Sequence, residues 1–163
     1  MTFVPAADNT RDLRTSLGRF ATGVTVLTAM SDDGPIGMTV NSFSSVSLDP
    51  PLIAWSLAKR SGRYLPFAGA HYFSVNVLGS TQAEVAMRFA RDATAFDEAH
   101  WEEGELEMPV LKGALACFEC SREFLYEGGD HTIIIGRVEY ATVGSGEPLL
   151  FYGGAFGDFR RVP

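Results

Sequence analysis

Three short stretches carry residue types that could do chemistry. The first is the polar run Thr39-Val40-Asn41-Ser42-Phe43-Ser44-Ser45, which offers hydroxyls and backbone N–H groups. The second is Ala58-Lys59-Arg60-Ser61, which adds two positive charges and another hydroxyl. Such groups together can hold a phosphate by charge-assisted hydrogen bonds. The same residue types also make ordinary solvated loops, and on spacing alone both readings stand. The third is His131, directly after Gly128-Gly129-Asp130 and at the head of an apolar run. A histidine beside an acid at a strand end can be a cap, a core residue or a reactive group.

Cys117 and Cys120 form a C-x-x-C pair. A zinc site needs two further ligands at suitable spacing, and His71, His100 and His131 are scattered. A redox pair opens a helix after a strand, whereas ALACFECSREFLYEG alternates like a strand. On a strand, positions three apart face opposite sides. The two cysteines therefore read as independent packing residues, and no metal is expected. The dinucleotide fingerprint G-x-G-x-x-G, the phosphate loop G-x-x-x-x-G-K-[ST] and the nucleophile elbow G-x-S-x-G do not occur.

The elements that must position these groups are mostly strands. Asn9 or Thr10 can cap a first helix carrying Leu13, Leu17 and Phe20, with Gly23 ending it. β-Branched density marks strands at 24–29 and 36–40, joined by the turn Ser31-Asp32-Asp33-Gly34. The stretch 41–51 is Ser-rich and closed by Pro50-Pro51, and reads as a polar loop. Further strands are expected at 52–57, 72–78, 114–126 and 131–143, and from Leu149 onward. A short helix fits 64–68. Thr81-x-x-Glu84 has the form of a capping box for a helix through about Phe89. The acidic stretch 91–109, with Glu98, Glu102, Glu103, Glu105 and Glu107, reads as a long loop. About seven strands linked by short turns imply an antiparallel sheet, and closure into a barrel would remove its edges.

The chain has 163 residues, one domain's worth. With 13 Lys and Arg against 20 Asp and Glu, its formal net charge is −7. A nucleic-acid protein or one docked on anionic lipid would carry a basic footprint, so neither partner is expected. Hydrophobic residues at 46% and charged residues at 20% are globular proportions. No uncharged apolar run approaches the roughly 18 residues of a membrane-spanning helix. The start MTFVPAADNTRDLR lacks the basic and apolar regions of a signal peptide. A cytoplasmic protein is expected.

The sequence resembles the short-chain flavin reductase family, the FMN-binding split-barrel reductases of two-component monooxygenases. The resemblance is carried by FATGVTVLTA (20–29), GMTVNSFSSVSLDPPLIAWSL (37–57), FSVNVL (73–78), GDHTIIIGRV (129–138) and LLFYGGAFGDF (149–159). It implies a mainly β fold, an antiparallel Greek-key split barrel of six or seven strands with a few short helices. It implies one flavin reductase-like domain over residues 1–163, working as a homodimer. The implied activity is NAD(P)H-dependent reduction of free FMN or FAD, which supplies reduced flavin to a separate oxygenase. NADH or NADPH would be the hydride donor. By the same resemblance Thr39, Val40, Asn41 and Ser42 face the flavin ring and ribityl chain. Ser44, Ser45, Ala58, Lys59, Arg60 and Ser61 lie toward its phosphate. His131 contacts the nicotinamide and is the catalytic candidate, while Tyr152 and Phe156 form an aromatic segment near the flavin. The competing expectation is a split-barrel protein that binds flavin or another small ligand without catalysis.

Overall fold

Thr, Val and Ile alternate or run together where the strands form, and Gly, Pro and Ser break them. In the computed structural model, which describes residues 2–97 and 100–162, the order is as follows. Helix α1 (Thr10–Leu17) precedes strands β1 (Thr22–Gly23), β2 (Thr25–Ser31), β3 (Gly34–Val40), β4 (Ser44–Leu48) and β5 (Pro51–Ala58). Helix α2 (Tyr64–Gly69), strand β6 (Tyr72–Val77) and helix α3 (Ala83–Arg91) come next. Strands β7 (Trp101–Glu103), β8 (Pro109–Leu111), β9 (Ala116–Gly128), β10 (His131–Val143), β11 (Leu149–Tyr152) and β12 (Ala155–Asp158) complete the chain.

Seven strands form the main sheet in the order β3-β2-β6-β9-β10-β5-β4, and every neighbouring pair is antiparallel. Its two edge strands, β3 and β4, are joined by only Asn41, Ser42 and Phe43. A flat sheet would hold those edges about 29 Å apart, at roughly 4.8 Å per strand. The four steps from Val40 to Ser44 span at most about 14 Å. The sheet must therefore curl until its edges approach. Among the described residues no ladder joins β3 to β4, so the barrel is split along that line. The expected mainly β split barrel is the architecture found.

Inside the curl, Trp55 meets Phe67 and Phe73 edge-on, each with ring centroids 5.8 Å apart. Leu27, Leu57, Val75, Cys120 and Ile134 fill the same cluster. Phe43 stacks on Phe118 at 5.8 Å, which pins the crossing segment to the far wall. A second cluster sets Ala86 and Phe89 of α3 against Val24, Val26, Leu78 and Leu149. Gly37 lets α3 come this close, since a Cβ there would lie 2.5 Å from the Phe89 ring. The small sheet β1-β11-β12 borders this cluster through Phe151 and Phe156.

Several local expectations are corrected. Helix α1 ends at Leu17 and not near Gly23; Leu17 and Phe20 are 67% and 80% exposed. Asn9 occupies the N-cap position, but its amide turns back to Ala6 N and Val4 O. The Thr81/Glu84 box does not form. Gln82 Oε1 instead accepts the Gly79 N–H at 2.9 Å, ahead of α3. The Ser-rich stretch is not all loop, because Ser44 to Leu48 pair with β5 as an edge strand. Nor is 91–109 one long loop, since β7 and β8 form a hairpin there. Trp101 and Leu111 join the second cluster, and the buried Glu119 carboxylate accepts the N–H groups of Glu105 and Leu106. Those two anchors order an acidic segment that has little apolar patterning of its own. Glu98 lies outside the described residues.

Cys117 and Cys120 are both buried free thiols, as alternation along β9 implies. Burial pushes the Cys117 thiol from its ordinary 9.0 up to about 12. Cys120 is pushed up as well, again mainly by burial. Both stay protonated in the folded protein, and the thiolate is the reactive form. Labelling by a disulfide reagent at pH 8 should run at least about 100-fold slower than in the urea-unfolded chain. The folded state keeps protons that the unfolded chain releases above its ordinary 9.0. Stability should therefore fall as pH rises past that value, which a melting series from pH 8 to 10.5 would read.

Candidate active site

The site residues gather because of strand register. His131 opens β10 opposite Ala58, the last residue of β5, and opposite Gly128, the last of β9. The loop after β5 and the turn before β10 therefore meet at one end of the sheet. Lys59 N donates to Asp130 O at 3.0 Å, extending that ladder by one bond. Gly129 makes the tight reversal at φ +72°, a conformation suited to glycine. The crossing segment comes to the same strand, since Ser42 Oγ accepts the Ser56 N–H at 3.0 Å. Ser44 sits opposite Ala54. Residues directly opposite each other share a sheet face. Ser44 and Ala54 thus lie on the face that carries Ser56, Ala58 and His131, opposite the buried Trp55 and Ile134.

The Asp130 carboxylate meets His131 Nδ1 at 2.7 Å. That hydrogen bond first, and then the charge of the ring, holds the Asp130 carboxyl below the usual carboxylate range. An ionised Asp130 fixes the proton on Nδ1 and leaves Nε2 as the nitrogen free for a ligand. Beneath the ring, Tyr64 OH and Thr132 Oγ1 lie 2.9 Å apart and brace the strand from its buried side.

The candidate donors divide into engaged and free groups. Thr39 Oγ1 donates to Ala86 O at 2.6 Å, so this hydroxyl holds α3. Val40 O accepts Thr25 Oγ1 at 3.1 Å. Ser42 is bound to Ser56, and Ser44 Oγ donates to Ser45 O at 3.1 Å. Ser61 Oγ accepts the Arg63 N–H at 3.2 Å and starts α2. The Lys59 ammonium contacts the Glu127 carboxylate and donates to Gly129 O at 2.9 Å. Among the described residues, the side chains of Asn41, Ser45 and Arg60 make no hydrogen bond or ion-pair contact. Tyr152 OH accepts from Arg19 Nη1 at 3.2 Å, and Phe156 packs on Phe151 at 5.7 Å. Both stand on the separate three-stranded sheet.

Sequence reasoning missed Glu127. It is 68 residues from Lys59, and only the pairing of Gly128 with His131 across the turn brings the two together. The free donor set suits a ligand with an anionic tail and a flat ring rich in polar edges. Arg60 and Ser45 can take the tail, and Asn41 offers both a donor and an acceptor to the ring.

A curled antiparallel barrel, split beside a donor-lined crossing segment, defines the flavin-binding split-barrel class. The flavin reductase like domain matches residues 17–160, and the chain belongs to that family. The protein SmoA of Agrobacterium fabrum, named an FMN reductase (NADH), is 52% identical over 159 residues, covering 98% of this chain and 91% of its own length. The reductase component of a flavin-dependent trigonelline monooxygenase from Acinetobacter baylyi is 42% identical over 158 residues. That match covers 96% of this chain and 51% of the relative, so the chain spans about half its length. The NADH:FAD oxidoreductase SgcE6 of Streptomyces globisporus, solved in complex with NAD and FAD fragments, has a TM-score of 0.89 at 40% identity, covering 98% of both chains.

Proposed function

We propose that this chain is an NADH-dependent flavin reductase that reduces free FMN or FAD and passes the reduced flavin to a separate flavin-dependent oxygenase. The observation that carries the reading is the ladder contact between Ala58 and His131, which sets the cationic loop and the histidine side by side within a family of flavin reductases. Bound flavin supplies the redox chemistry, accepting hydride from the nicotinamide and a proton from solvent. The chain's own task is to hold two flat rings in register and to exclude water between them. Asn41 and the peptide groups of 39–42 orient the flavin ring, and Arg60 with Ser44, Ser45 and Ser61 faces its phosphate. His131, held by Asp130, meets the nicotinamide through Nε2. Tyr152 and Phe156 supply the aromatic side of the site.

The working unit is a homodimer, and residues 1–163 act as one domain. Support comes from the sheet face that bears the site. Beside Ala58 and His131 it presents Ile133, Ile135, Phe124 and Tyr126 in neighbouring registers. Phe124 and Tyr126 are 47% and 52% exposed. An apolar face of this extent usually marks an interaction surface. A cytoplasmic setting accords with the formal charge of −7 and with the finding that no described helix is long and apolar enough to cross a membrane.

The test is spectroscopic. Purified protein mixed with FMN or FAD should oxidise NADH, read as loss of absorbance at the nicotinamide band, and should bleach the flavin under argon without another protein. A chain that binds flavin but does not accelerate bleaching is a carrier, and the reductase reading then fails.

A further inference from the structure

Lys59 sits where a phosphate-binding cation is expected, yet its ammonium is already engaged. It contacts the Glu127 carboxylate at the end of β9 and donates to Gly129 O at 2.9 Å in the turn. Its own N–H donates to Asp130 O at 3.0 Å. One residue of the flavin-side loop therefore makes three contacts to the turn that aims His131. Arg60, its neighbour, has no such partner and remains available to an anion. Half-exposed ion pairs contribute little to global stability, commonly below about 1 kcal/mol. The same energy applied to the orientation of a short turn changes how one ring meets another.

We propose that Lys59 and Glu127 form a latch that positions the Gly128–His131 turn against the Ala58–Ser61 loop, so that Lys59 is a positioning residue and not a phosphate ligand. The proposal rests on the flavin reductase reading above. In the latched state, Asp130 and His131 are carried by a turn tied at both its carbonyls and its flanking carboxylate. Without the latch the turn keeps its strand pairing but loses its lateral tether, and the nicotinamide meets a less ordered His131. The flavin phosphate, facing Arg60, does not sense the change.

Three variants of the full chain test this: Lys59→Met, Glu127→Gln and the double variant, with Lys59→Arg as the conservative control. Each is assayed for KM of NADH, for the rate of reduction of prebound flavin, and for affinity toward FMN and riboflavin. Either single variant should raise KM for NADH about 3- to 5-fold, the scale of one exposed ion pair. The double variant should be no worse than the poorer single, because both remove the same contact. Lys59→Arg should recover most of the loss. FMN and riboflavin affinities should shift equally, since only FMN carries the phosphate. A loss confined to FMN in Lys59→Met, with Glu127→Gln silent, makes Lys59 a phosphate ligand and overturns the latch. Silence of both variants in an active wild-type background overturns it too. A wild-type protein that reduces no flavin overturns the functional reading, and the latch with it.

Discussion

Replacing His131 with alanine is expected to lower kcat/KM for NADH about 10- to 100-fold, the scale of a lost positioning contact. Flavin affinity should stay close to wild type. The asymmetry follows from placement. His131 pairs through its backbone with Ala58 and Gly128, and an alanine keeps those ladder bonds. Only the ring is lost, and the ring's sole hydrogen-bond partner among the described residues is Asp130. Asp130 would then lack the bond that lowers its carboxyl, and its titration should move back toward the ordinary range. Stopped-flow reduction of prebound flavin over a range of NADH concentrations separates binding from hydride transfer. A reduction rate unchanged at every concentration would leave His131 as a strand-end residue with no part in the reaction. His131→Asn, which keeps a polar side chain beside Asp130, should fall between alanine and wild type.

The strands that build the barrel were legible because their chemistry is local. VTVLTA, LIAWSL and HTIIIGRV carry β-branched and aromatic density that suits a pleated sheet in almost any context. Strand β4 was not legible, because Ser44, Ser45 and Ser47 carry no such signal and pair only when the β5 edge is presented to them. The β7–β8 hairpin was hidden for a similar reason. Its order comes from Trp101 and Leu111 reaching α3's cluster and from Glu119 holding the turn at Glu105 and Leu106. The candidate site was legible as a set of residues but not as a set of roles. Residue type could not say that Thr39 Oγ1 would go to Ala86, Ser61 to Arg63 and Lys59 to Glu127. Those assignments depend on contacts between segments far apart in the chain, and they leave Asn41, Ser45 and Arg60 as the free donors.

Placing a charge on the exposed sheet face should have the largest effect on the assembled enzyme. Ile135 lies between Ala54 of β5 and Phe124 of β9, at the middle of the apolar face that continues toward His131. Its side chain points away from the barrel interior, since its neighbours Ile134 and Gly136 are the buried ones. Within a single protomer, Ile135→Arg therefore costs little, because the guanidinium can reach water. In a dimer packed through this face, the charge is buried without a carboxylate partner, at about 3–5 kcal/mol. That weakens association by roughly 10²–10³-fold. The variant should sediment as a 17.7 kDa monomer at concentrations where wild type is twice that mass. Its far-UV circular dichroism should be unchanged. Flavin reduction should fall in step with dissociation, because Ala58 and His131 border the same face and would lose their cover from water. Recovery of activity at high protein concentration would tie the loss to assembly. A dimer that persists in Ile135→Arg would move the interface elsewhere, and a fully active monomer would show that one protomer holds a complete site.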